Sequence, residues 1–470
     1  MKFINRQREL EYLGQEYDRE GSTFVVIYGR RRLGKTALIK EFICDKSNVV
    51  YFLADKSSET VSINLFREVI NRSSGSTFWP DIRLSTWDQL FDYYLGTTGM
   101  DVKKILIIDE FQYLVWSDRA FPSILQRIWD EKLKDQNIML ILCGSSVSMM
   151  LSEVLNYDSP LYGRRTGQIQ IQPLNFLSLQ EFIPHANPVF LAEIYGLTGG
   201  VPKYLDFFKE RSSRDTLIQQ TYLNVDHFLN QEARFILSEE INEPINYFSI
   251  LKSIAGGNRK ISSISNDLQY PSQKISPYLH TLQQIGLVER LVPVTETMPH
   301  KSKKGLYRIR DYYLRFWFRF VYPYQSDISL GNTRWLLEKI ETEYSDFMGP
   351  VFEDICRQQI PYLFPGQYTR TGSWWNKLNE TDIVCLNPDS KQVLIGECKW
   401  TNKYVGMDTL IQLTELAKMI DFGFHPASIH YILFSKSGFT KELLNHQHGN
   451  CTLVNHKETN FSRNPFNKPV

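Results

Sequence analysis

The chain has 470 residues, a formal net charge of +1, 42% hydrophobic residues and 22% charged residues. These values are typical of a globular protein, and the length predicts two to four domains. No apolar run approaches the roughly 18 residues needed to span a bilayer, so we expect no membrane crossing. The six cysteines lie far apart without a C-x-x-C pair, and the charged amino terminus is not a secretory signal, which predicts a cytoplasmic protein without a disulfide framework.

The first motif along the chain is a phosphate-binding loop. The apolar run 24–28 leads into G-x-x-x-x-G-K-T, and a helical pattern begins at Ala37. In this arrangement backbone N–H groups and the helix N-terminus face the phosphates of a nucleoside triphosphate. The lysine reaches the β and γ oxygens, where it also serves catalysis, and the threonine hydroxyl completes a Mg²⁺ shell. We therefore predict that ATP and Mg²⁺ are bound by Gly29, Arg30, Arg31, Arg32, Leu33, Gly34, Lys35 and Thr36.

The second nucleotide signature is a run of four aliphatic residues, 105–108, followed by Asp109 and Glu110. Such a run suits a strand buried on both faces of a parallel sheet, and its carboxyl end emerges where these sheets bind ligands. We predict that Asp109 holds Mg²⁺ through water and that Glu110 polarises the attacking water as a general base.

A further apolar strand, residues 138–144, ends at Ser145, which we predict to be a polar sensor of the γ-phosphate. Residues 167–171 alternate with a period of two, as a half-buried or edge strand does. The fold class is therefore α/β, with a five-stranded parallel sheet formed by residues 23–28, 49–53, 105–109, 138–144 and 167–171.

These motifs resemble the archaeal-type ATPases of the AAA+/STAND branch of P-loop proteins. The matching features, which cover about half of the chain, are the opening Phe3-x-Asn5-Arg6-x-x-Glu9-Leu10, both nucleotide motifs, the segment Pro160 to Arg165, and Gly199-Gly200-x-Pro202. The resemblance implies that the opening segment packs near the adenine and that residues 199–202 begin a sensor-like helix in a helical lid.

By the same resemblance, Arg164 or Arg165 supplies positive charge to the triphosphate, in cis or from a neighbouring subunit of a homo-oligomer. A second interpretation stands beside it, in which these arginines belong to a solvated basic loop. The sequence does not place an arginine at a subunit junction.

Beyond about residue 240 the pattern is that of a winged helix-turn-helix. It predicts helices at 245–254, at 261–268 and from the N-cap Ser272 to Gly286, followed by a two-stranded wing. Pro277 puts the start of the third helix in doubt, because a proline beyond the first turn removes a hydrogen bond. Residues 245–325 hold 12 Lys and Arg against 4 Asp and Glu, which favours DNA contact over a lid or docking role. Bases would face Gln273, Lys274 and Ser276, and phosphates would face the wing residues Lys301, Lys303 and Lys304.

Residues 308–321 are both aromatic and basic. Aromatic residues at 312, 313, 316, 317 and 320 fall on one helical face, so we interpret them as a core stripe with arginines on the other side rather than as a platform for stacking bases. The segment also resembles the start of an uncharacterised C-terminal domain that accompanies these ATPases.

The C-terminal region predicts a second chemical site on a β-hairpin. Asp382 lies on the first strand, and Glu397 and Lys399 lie on the second, so all three side chains project to one face. The pattern resembles the PD-(D/E)xK nuclease superfamily, and the resemblance implies a metal ion, Mg²⁺ or Mn²⁺, held by Asp382, Glu397 and the outer acid Glu353. Lys399 would act on water and on the scissile phosphate. No proline precedes Asp382, and Gln412 is the only further polar candidate on the next helix.

The sequence thus predicts an ATPase core at 1–173, a helical lid at 174–240, a winged helix at 241–310 and a nuclease-like domain at 311–470. ATP would reposition the last two on DNA, as a nucleotide-gated switch. The alternatives are a nuclease fold without activity and a signalling or scaffold ATPase whose C-terminal domains bind a protein partner.

Overall fold

The computed structural model describes residues 4–74, 82–97, 102–208, 212–241, 243–445 and 450–459. Phe3, in the opening motif, lies outside these residues. The chain forms two compact units, residues 1–173 with 236–242, and residues 174–235 with 243–470. Among the described residues, no helix combines the length and the apolar character that crossing a bilayer requires. The four-part domain division stays a prediction.

The first unit contains the predicted sheet of five parallel strands. The strands are β1 (Thr23–Tyr28), β2 (Val49–Leu53), β3 (Lys104–Asp109), β4 (Ile138–Gly144) and β5 (Gly167–Gln170). Their order is β2-β3-β4-β1-β5, and each neighbouring pair is parallel. The three central strands are buried along their whole length, because helices cover both faces of the sheet.

The helices of this unit are α1 (Gln7–Asp18), α2 (Lys35–Ile43), α3 (Glu59–Ser73), α4 (Trp87–Thr97), α5 (Gln112–Ser117), α6 (Phe121–Ile128) and α7 (Val147–Met150). Strand β4 pairs with both β1 and β3. Because parallel strands end at the same edge of a sheet, the loops after β1, β3 and β4 meet there.

The second unit begins with α8 (Leu179–Phe182), α9 (Pro188–Thr198), α10 (Pro202–Leu205) and α11 (Arg214–Thr221). Helix α12 (Phe228–Glu240) also starts in this unit, and its residues from 236 onward belong to the first unit. Gly199 ends α9 with a left-handed φ of +61°. Gly200 is also left-handed, and a Cβ there would lie 2.1 Å from the carbonyl oxygen of Leu174. The two glycines therefore separate α9 from α10, which starts at Pro202.

The next elements are α13 (Ile245–Ala255), α14 (Ile261–Leu268), α15 (Ser272–Gln284), β6 (Val288–Leu291) and β7 (Leu306–Ile309), with β6 and β7 antiparallel. Ser272 was predicted as the N-cap of α15 but is its first helical residue; Pro271 holds the cap position. Pro277 lies in the interior of α15, so the helix tolerates the loss of one backbone hydrogen bond there. The assignment of these elements to a winged helix stays a prediction.

The aromatic segment forms α16 (Tyr312–Phe316) and the helical stretch Trp317–Val321. The five aromatic residues of the predicted stripe are at most 5% exposed, which confirms the core interpretation. Two further helices follow, α17 (Gln325–Ser329) and the 30-residue α18 (Arg334–Leu363).

A second five-stranded sheet completes this unit. Its strands are β8 (Arg370–Trp375), β9 (Glu380–Asn387), β10 (Gln392–Lys399), β11 (Ser428–Ser435) and β12 (Cys451–Asn455), with helices α19 (Met407–Ala417) and α20 (Lys441–Asn445). The strand order is β12-β11-β10-β9-β8. The β9–β10 pair is the predicted antiparallel hairpin, and β10, β11 and β12 are parallel. All six cysteines are free thiols.

Candidate functional site

The phosphate-binding loop, residues 29–36, connects β1 to α2. Gly29 has a φ of +149°, and a Cβ at this position would lie 2.6 Å from the carbonyl oxygen of Ile171. Gly34 has a φ of +90° and is the left-handed residue from which α2 starts. The loop therefore requires glycine at both positions, and it turns the first amides of α2 towards the space that phosphates would occupy.

The ammonium group of Lys35 is turned into this loop. Its Nζ donates to the carbonyl oxygens of Gly29 at 2.6 Å and Arg30 at 3.0 Å. Lys35 is only 6% exposed, and burial lowers the pKa of its ammonium. Phosphate oxygens are stronger partners for a buried cation than carbonyl oxygens. The donors of the loop and of Lys35 therefore fit a triphosphate.

Asp109 is a second residue of the nucleotide site whose side chain is held in place by hydrogen bonds. Its Oδ2 accepts hydrogen bonds from Thr36 Oγ1 at 3.0 Å and from the Tyr51 hydroxyl at 2.5 Å. Burial and the hydrogen bond to Asp109 raise the pKa of Tyr51, which keeps the phenol protonated as a donor. A threonine hydroxyl beside a carboxylate is a donor set that fits Mg²⁺, and the binding of this ion by Thr36 and Asp109 stays a prediction.

Glu110, Gln112 and Ser145 form a closed hydrogen-bond network. Ser145 Oγ donates to Glu110 Oε2 at 2.6 Å. Gln112 Nε2 donates to the same carboxylate oxygen and, at 2.8 Å, to Ser145 Oγ, and Gln112 Oε1 accepts from the Ser145 N–H at 3.2 Å. The Ser145 hydroxyl thus contacts the predicted general base.

Sequence reasoning missed Gln112. The residue is only 1% exposed and opens α5, but a glutamine at the start of a short helix is ordinary, and nothing in the sequence marks it as buried. Glu110, which the network holds, has a left-handed φ of +56°. For a residue other than glycine that conformation costs on the order of 1 kcal/mol, so the surrounding contacts must maintain it.

Two acidic residues far along the chain also reach this site. Glu239 Oε1 lies 2.5 Å from Nη1 of the loop residue Arg31, whose Nη2 donates to the Tyr113 hydroxyl at 2.6 Å. Glu240 accepts the first two backbone N–H groups of α7, each at 2.9 Å. Neither acid belongs to a recognisable motif, so the sequence offered no signal for them.

The remaining predicted nucleotide residues have mixed surroundings. Leu33 is 3% exposed, and Arg32 has a left-handed φ of +70°. Arg164 pairs with Asp130, with Nη2 to Oδ2 at 2.7 Å, and donates to the carbonyl oxygen of Pro160 at 2.9 Å. These contacts satisfy the Arg164 guanidinium without a phosphate, and its role in binding the triphosphate stays a prediction.

The hairpin β9–β10 brings Asp382, Glu397 and Lys399 together. Ile383 lies opposite Gly396, so Asp382 and Glu397 occupy the next positions along the two strands. Lys399 Nζ lies 2.6 Å from Glu397 Oε1, and the backbone N–H of Cys398 donates to Asp382 Oδ2 at 2.8 Å.

In this cluster two carboxylates, those of Asp382 and Glu397, interact with a single cation, the ammonium of Lys399. Burial and the charges of Glu397 and Glu353 raise the pKa of Asp382 well above its ordinary value. Burial also raises the pKa of Glu397, although Lys399 opposes it. The pKa of Lys399 is lowered by burial but raised more by Glu397 and Asp382. Two carboxylates with raised pKa values favour the binding of a cation between them.

Glu353 was predicted as the third metal ligand, and the structure does not assemble that set. Within the residues that the structure describes, no three His, Cys, Asp or Glu side chains are arranged to hold a metal ion. Arg357 lies beside this cluster: it donates to the Asp382 backbone carbonyl oxygen at 2.6 Å and lies 3.5 Å from Glu353 Oε2, while the charge of Glu353 raises the pKa values of both Asp382 and Glu397. Gln412 is exposed on α19, and in the described part of the chain no hydrogen bond joins it to the cluster.

The residues predicted to contact DNA lie at the surface. Gln273, Lys274 and Ser276 are exposed on α15. In the wing, Lys301 and Lys303 are exposed, whereas Lys304 pairs with Glu296 at 2.7 Å.

Comparison with protein families finds two matches. A family model described as an ATPase domain predominantly from Archaea matches residues 3–208. A second model, described as archaeal and bacterial proteins of unknown function, matches residues 317–410.

Individual proteins extend the likeness over most of the chain. The protein MJECL04 of Methanocaldococcus jannaschii is 35% identical over 405 residues, which are 85% of this chain and 87% of that protein. The ATP-binding protein MJ0074 of the same organism is 24% identical over 328 residues, 58% of this chain and 90% of its own. Among solved structures, the Walker-type ATPase paby2304 of Pyrococcus abyssi has a TM-score of 0.50 at 18% identity, over 67% of this chain and 96% of its own, which shows a shared fold.

Proposed function

The chain belongs to the family of ATPases found predominantly in Archaea and is a P-loop ATPase that binds ATP, and from this premise we propose that ATP binding and hydrolysis switch a phosphodiester-cleaving site in its second unit. The ATPase unit supplies the switch. The hairpin cluster of Asp382, Glu397 and Lys399 supplies the cleavage.

In the ATPase unit we assign roles to four residues. Lys35 holds the β and γ phosphates, Thr36 and Asp109 hold Mg²⁺, and Glu110 accepts the proton of the attacking water. When bound, Mg²⁺ would neutralise part of the negative charge on the phosphate oxygens. The support for Glu110 is its fixed carboxylate, which Ser145 and Gln112 hold in place.

The switch itself rests on Arg31 and Glu239. Arg31 belongs to the phosphate-binding loop, yet its guanidinium pairs with Glu239. A triphosphate in the loop competes with this carboxylate for Arg31, because guanidinium groups bind phosphate at least as well as carboxylate. Residues 236–242 lead directly into residue 243 of the second unit. Release of Glu239 is therefore passed along the chain to that unit.

The observation that carries the cleavage proposal is the convergence of Asp382, Glu397 and Lys399. Two carboxylates whose pKa values rise by burial fit a divalent cation with oxygen ligands, Mg²⁺ or Mn²⁺. The metal, when bound, supplies charge neutralisation at the scissile phosphate. Lys399, held by Glu397, orients the attacking water and adds a positive charge.

We further propose that α15 and the wing place DNA near this cluster. The supporting features are the exposed Gln273, Lys274 and Ser276 and the local excess of basic residues. The homo-oligomeric state stays a prediction.

One observation favours a second candidate function, that of an ATPase whose C-terminal domain binds a protein partner and cleaves nothing. Glu353 lies 3.5 Å from Arg357, and no three acidic side chains among the described residues are arranged to hold a metal ion, so the proposed cluster has two acidic ligands.

A cleavage assay separates the two functions. Purified full-length protein is incubated with linear duplex, single-stranded DNA and RNA, with and without ATP, in Mg²⁺ or Mn²⁺. We expect metal-dependent cleavage that disappears in Asp382→Asn and Glu397→Gln and falls by about 10² or more in Lys399→Met, at unchanged ATP turnover. Asp389→Asn, an exposed acid in the turn of the same hairpin, is the matched control.

Cleavage that survives Glu397→Gln would identify a contaminating nuclease. Wild-type protein that cleaves no substrate and binds no Mn²⁺ by calorimetry would leave the partner-binding function as the better description.

A further inference from the structure

A basic cavity of about 420 Å³ lies within the second unit, apart from both sites above. Its walls come from the end of α13, from β7, from α16 and the helical stretch after it, and from α18. The cationic residues that line it are Lys252, Arg259, Arg308, Arg315, Arg319 and Lys339. Glu343 is the only acidic residue among the described residues that line it.

Three of these cations have carboxylate partners. Arg308 pairs with Glu289 at 2.5 Å and Asp354 at 2.9 Å. Arg319 and Lys339 share the single carboxylate of Glu343. The pairing of Arg308 is therefore complete, whereas Arg319 and Lys339 together exceed their partner by one positive charge.

The other three cations have no acidic partner among the residues that the structure describes: Lys252, Arg259 and Arg315. Lys252 is exposed, so water solvates its charge. Arg259 and Arg315 are mostly buried. The Arg259 Nε has no hydrogen-bond partner, and the Arg315 guanidinium contacts the ring of Phe347 at 5.3 Å.

A buried guanidinium without a counter-ion costs free energy, and like charges around one cavity add to that cost. The titration behaviour agrees with the geometry. Burial, together with the charges of Arg308 and Arg319, lowers the pKa of Arg315 to about 10, although Tyr312 and Asp354 oppose them. Burial and the charge of Arg308 lower the pKa of Arg259, although the charges of Glu353 and Glu380 oppose them. An anion in the cavity would remove this cost.

We propose that this cavity binds a small anion that carries two or more phosphate groups. Guanidinium groups match phosphate oxygens with paired N–H donors, and several arginines around one space suit more than one phosphate. The volume lies in the usual range for small-molecule sites, roughly 300–1,000 Å³, and the recessed position of Arg315 favours a compact ligand over a nucleic-acid helix. None of the residues that line this cavity belongs to the proposed cleavage site.

Calorimetric titration of inorganic pyrophosphate into the full-length protein tests this site. Every protein carries Lys35→Ala to weaken binding at the ATPase site. We expect one pyrophosphate site in this parent and a Kd that is about tenfold higher when Arg315→Met or Arg259→Met is added, since each removes a charge-assisted hydrogen bond. Arg334→Met is the matched control, because Arg334 lies on α18 with its side chain 96% exposed, outside the cavity.

Folding of the variants is checked by thermal unfolding without ligand. Arg315→Met removes an unpaired buried charge and should leave the Tm equal or higher, whereas a purely structural arginine would lower it. Pyrophosphate binding that is unchanged by both Arg315→Met and Arg259→Met would overturn the proposal. So would binding of a single-stranded oligonucleotide that depends on these arginines without any binding of pyrophosphate.

Discussion

Lys35 and Glu110 act on the same nucleotide at different stages, and their surroundings show why. Lys35 is buried inside the phosphate-binding loop, where its Nζ donates to two backbone carbonyl oxygens, so its contribution is to phosphate binding. Glu110 lies at the end of β3 in a hydrogen-bond network, so its contribution is to the water.

We predict that Lys35→Ala weakens ATP binding by roughly 10- to 100-fold, because it removes a charged hydrogen-bond donor worth about 1.5–3 kcal/mol. Glu110→Gln should keep ATP affinity and lower kcat by about 10² or more. Fluorescent-nucleotide binding and phosphate release measure the two effects, and Lys40→Ala, exposed on α2, is the control. Turnover by Glu110→Gln at the parental rate would remove Glu110 from the role of general base.

Gln112 contacts both Glu110 and Ser145, and we expect it to be a positioning residue for hydrolysis. Gln112→Leu leaves the Glu110 carboxylate without one donor and the Ser145 N–H without its acceptor. The expected result is a fall in kcat of about tenfold at unchanged KM, with about 1–3 kcal/mol lower stability. A purely structural Gln112 would lower stability and leave kcat of the folded fraction unchanged. Gln126→Leu on α6 is the matched control.

Among the elements, the wing loop between β6 and β7 contains one ion-paired lysine, Lys304, whereas Lys301 and Lys303 form no ion pair with the residues that the structure describes. Arg290 organises the loop by donating to the carbonyl oxygens of Pro299 and Ser302. Lys304 is paired with Glu296 at 2.7 Å, and the carboxylate partly neutralises its charge. We therefore expect Lys304 to attract a DNA phosphate less strongly than Lys301 and Lys303 do.

We therefore predict an order among single variants. Lys301→Gln and Lys303→Gln should each reduce DNA affinity and lower the salt slope by up to about 0.9, while Lys304→Gln should change both less. Fluorescence anisotropy at several salt concentrations measures the slopes. A triple variant of exposed lysines elsewhere in the unit, Lys391, Lys403 and Lys418 to Gln, is the charge-matched control. Equal slopes for wild type and all wing variants would place any DNA contact elsewhere.

At the scale of the whole molecule, His456 links the stability of the second unit to pH. Its side chain is 1% exposed, and its ring contacts Phe176, Phe352 and Trp400. Burial lowers the pKa of His456 to about 4 from an ordinary value of 6.5. Between these two values the unfolded chain binds a proton that the folded chain does not, so stability falls as the pH drops from about 6.5 to about 4.

Between pH 7 and pH 5 we expect the titration of His456 to lower the free energy of unfolding by about 2 kcal/mol. This figure follows from the size of the pKa shift at about 1.36 kcal/mol per pKa unit. Urea unfolding of His456→Phe should lack this part of the loss and show a flatter pH profile than wild type. Parallel profiles for the two proteins would show that His456 titrates normally.

Several features could be predicted from the sequence because they depend on residues that are close together along the chain. Continuous aliphatic runs predicted the strands β1, β3 and β4, since only strands covered on both faces tolerate such composition. The spacing of glycines and Lys35 determined the phosphate-binding loop, and the hairpin turn placed Asp382 opposite Glu397. These patterns depend on local periodicity and on backbone geometry.

Other features were decided only by tertiary structure, because they depend on residues that the fold brings together from distant positions. Glu239 pairs with Arg31 across more than 200 residues, and Arg357 contacts both the backbone carbonyl of Asp382 and the carboxylate of Glu353. The sequence predicts that Arg315 is one of several arginines on the polar side of an aromatic helix. Packing against α18 and β7 buries its charge, and it forms no ion pair with any residue that the structure describes. Burial and charge pairing depend on which surfaces meet, and local sequence does not carry that information.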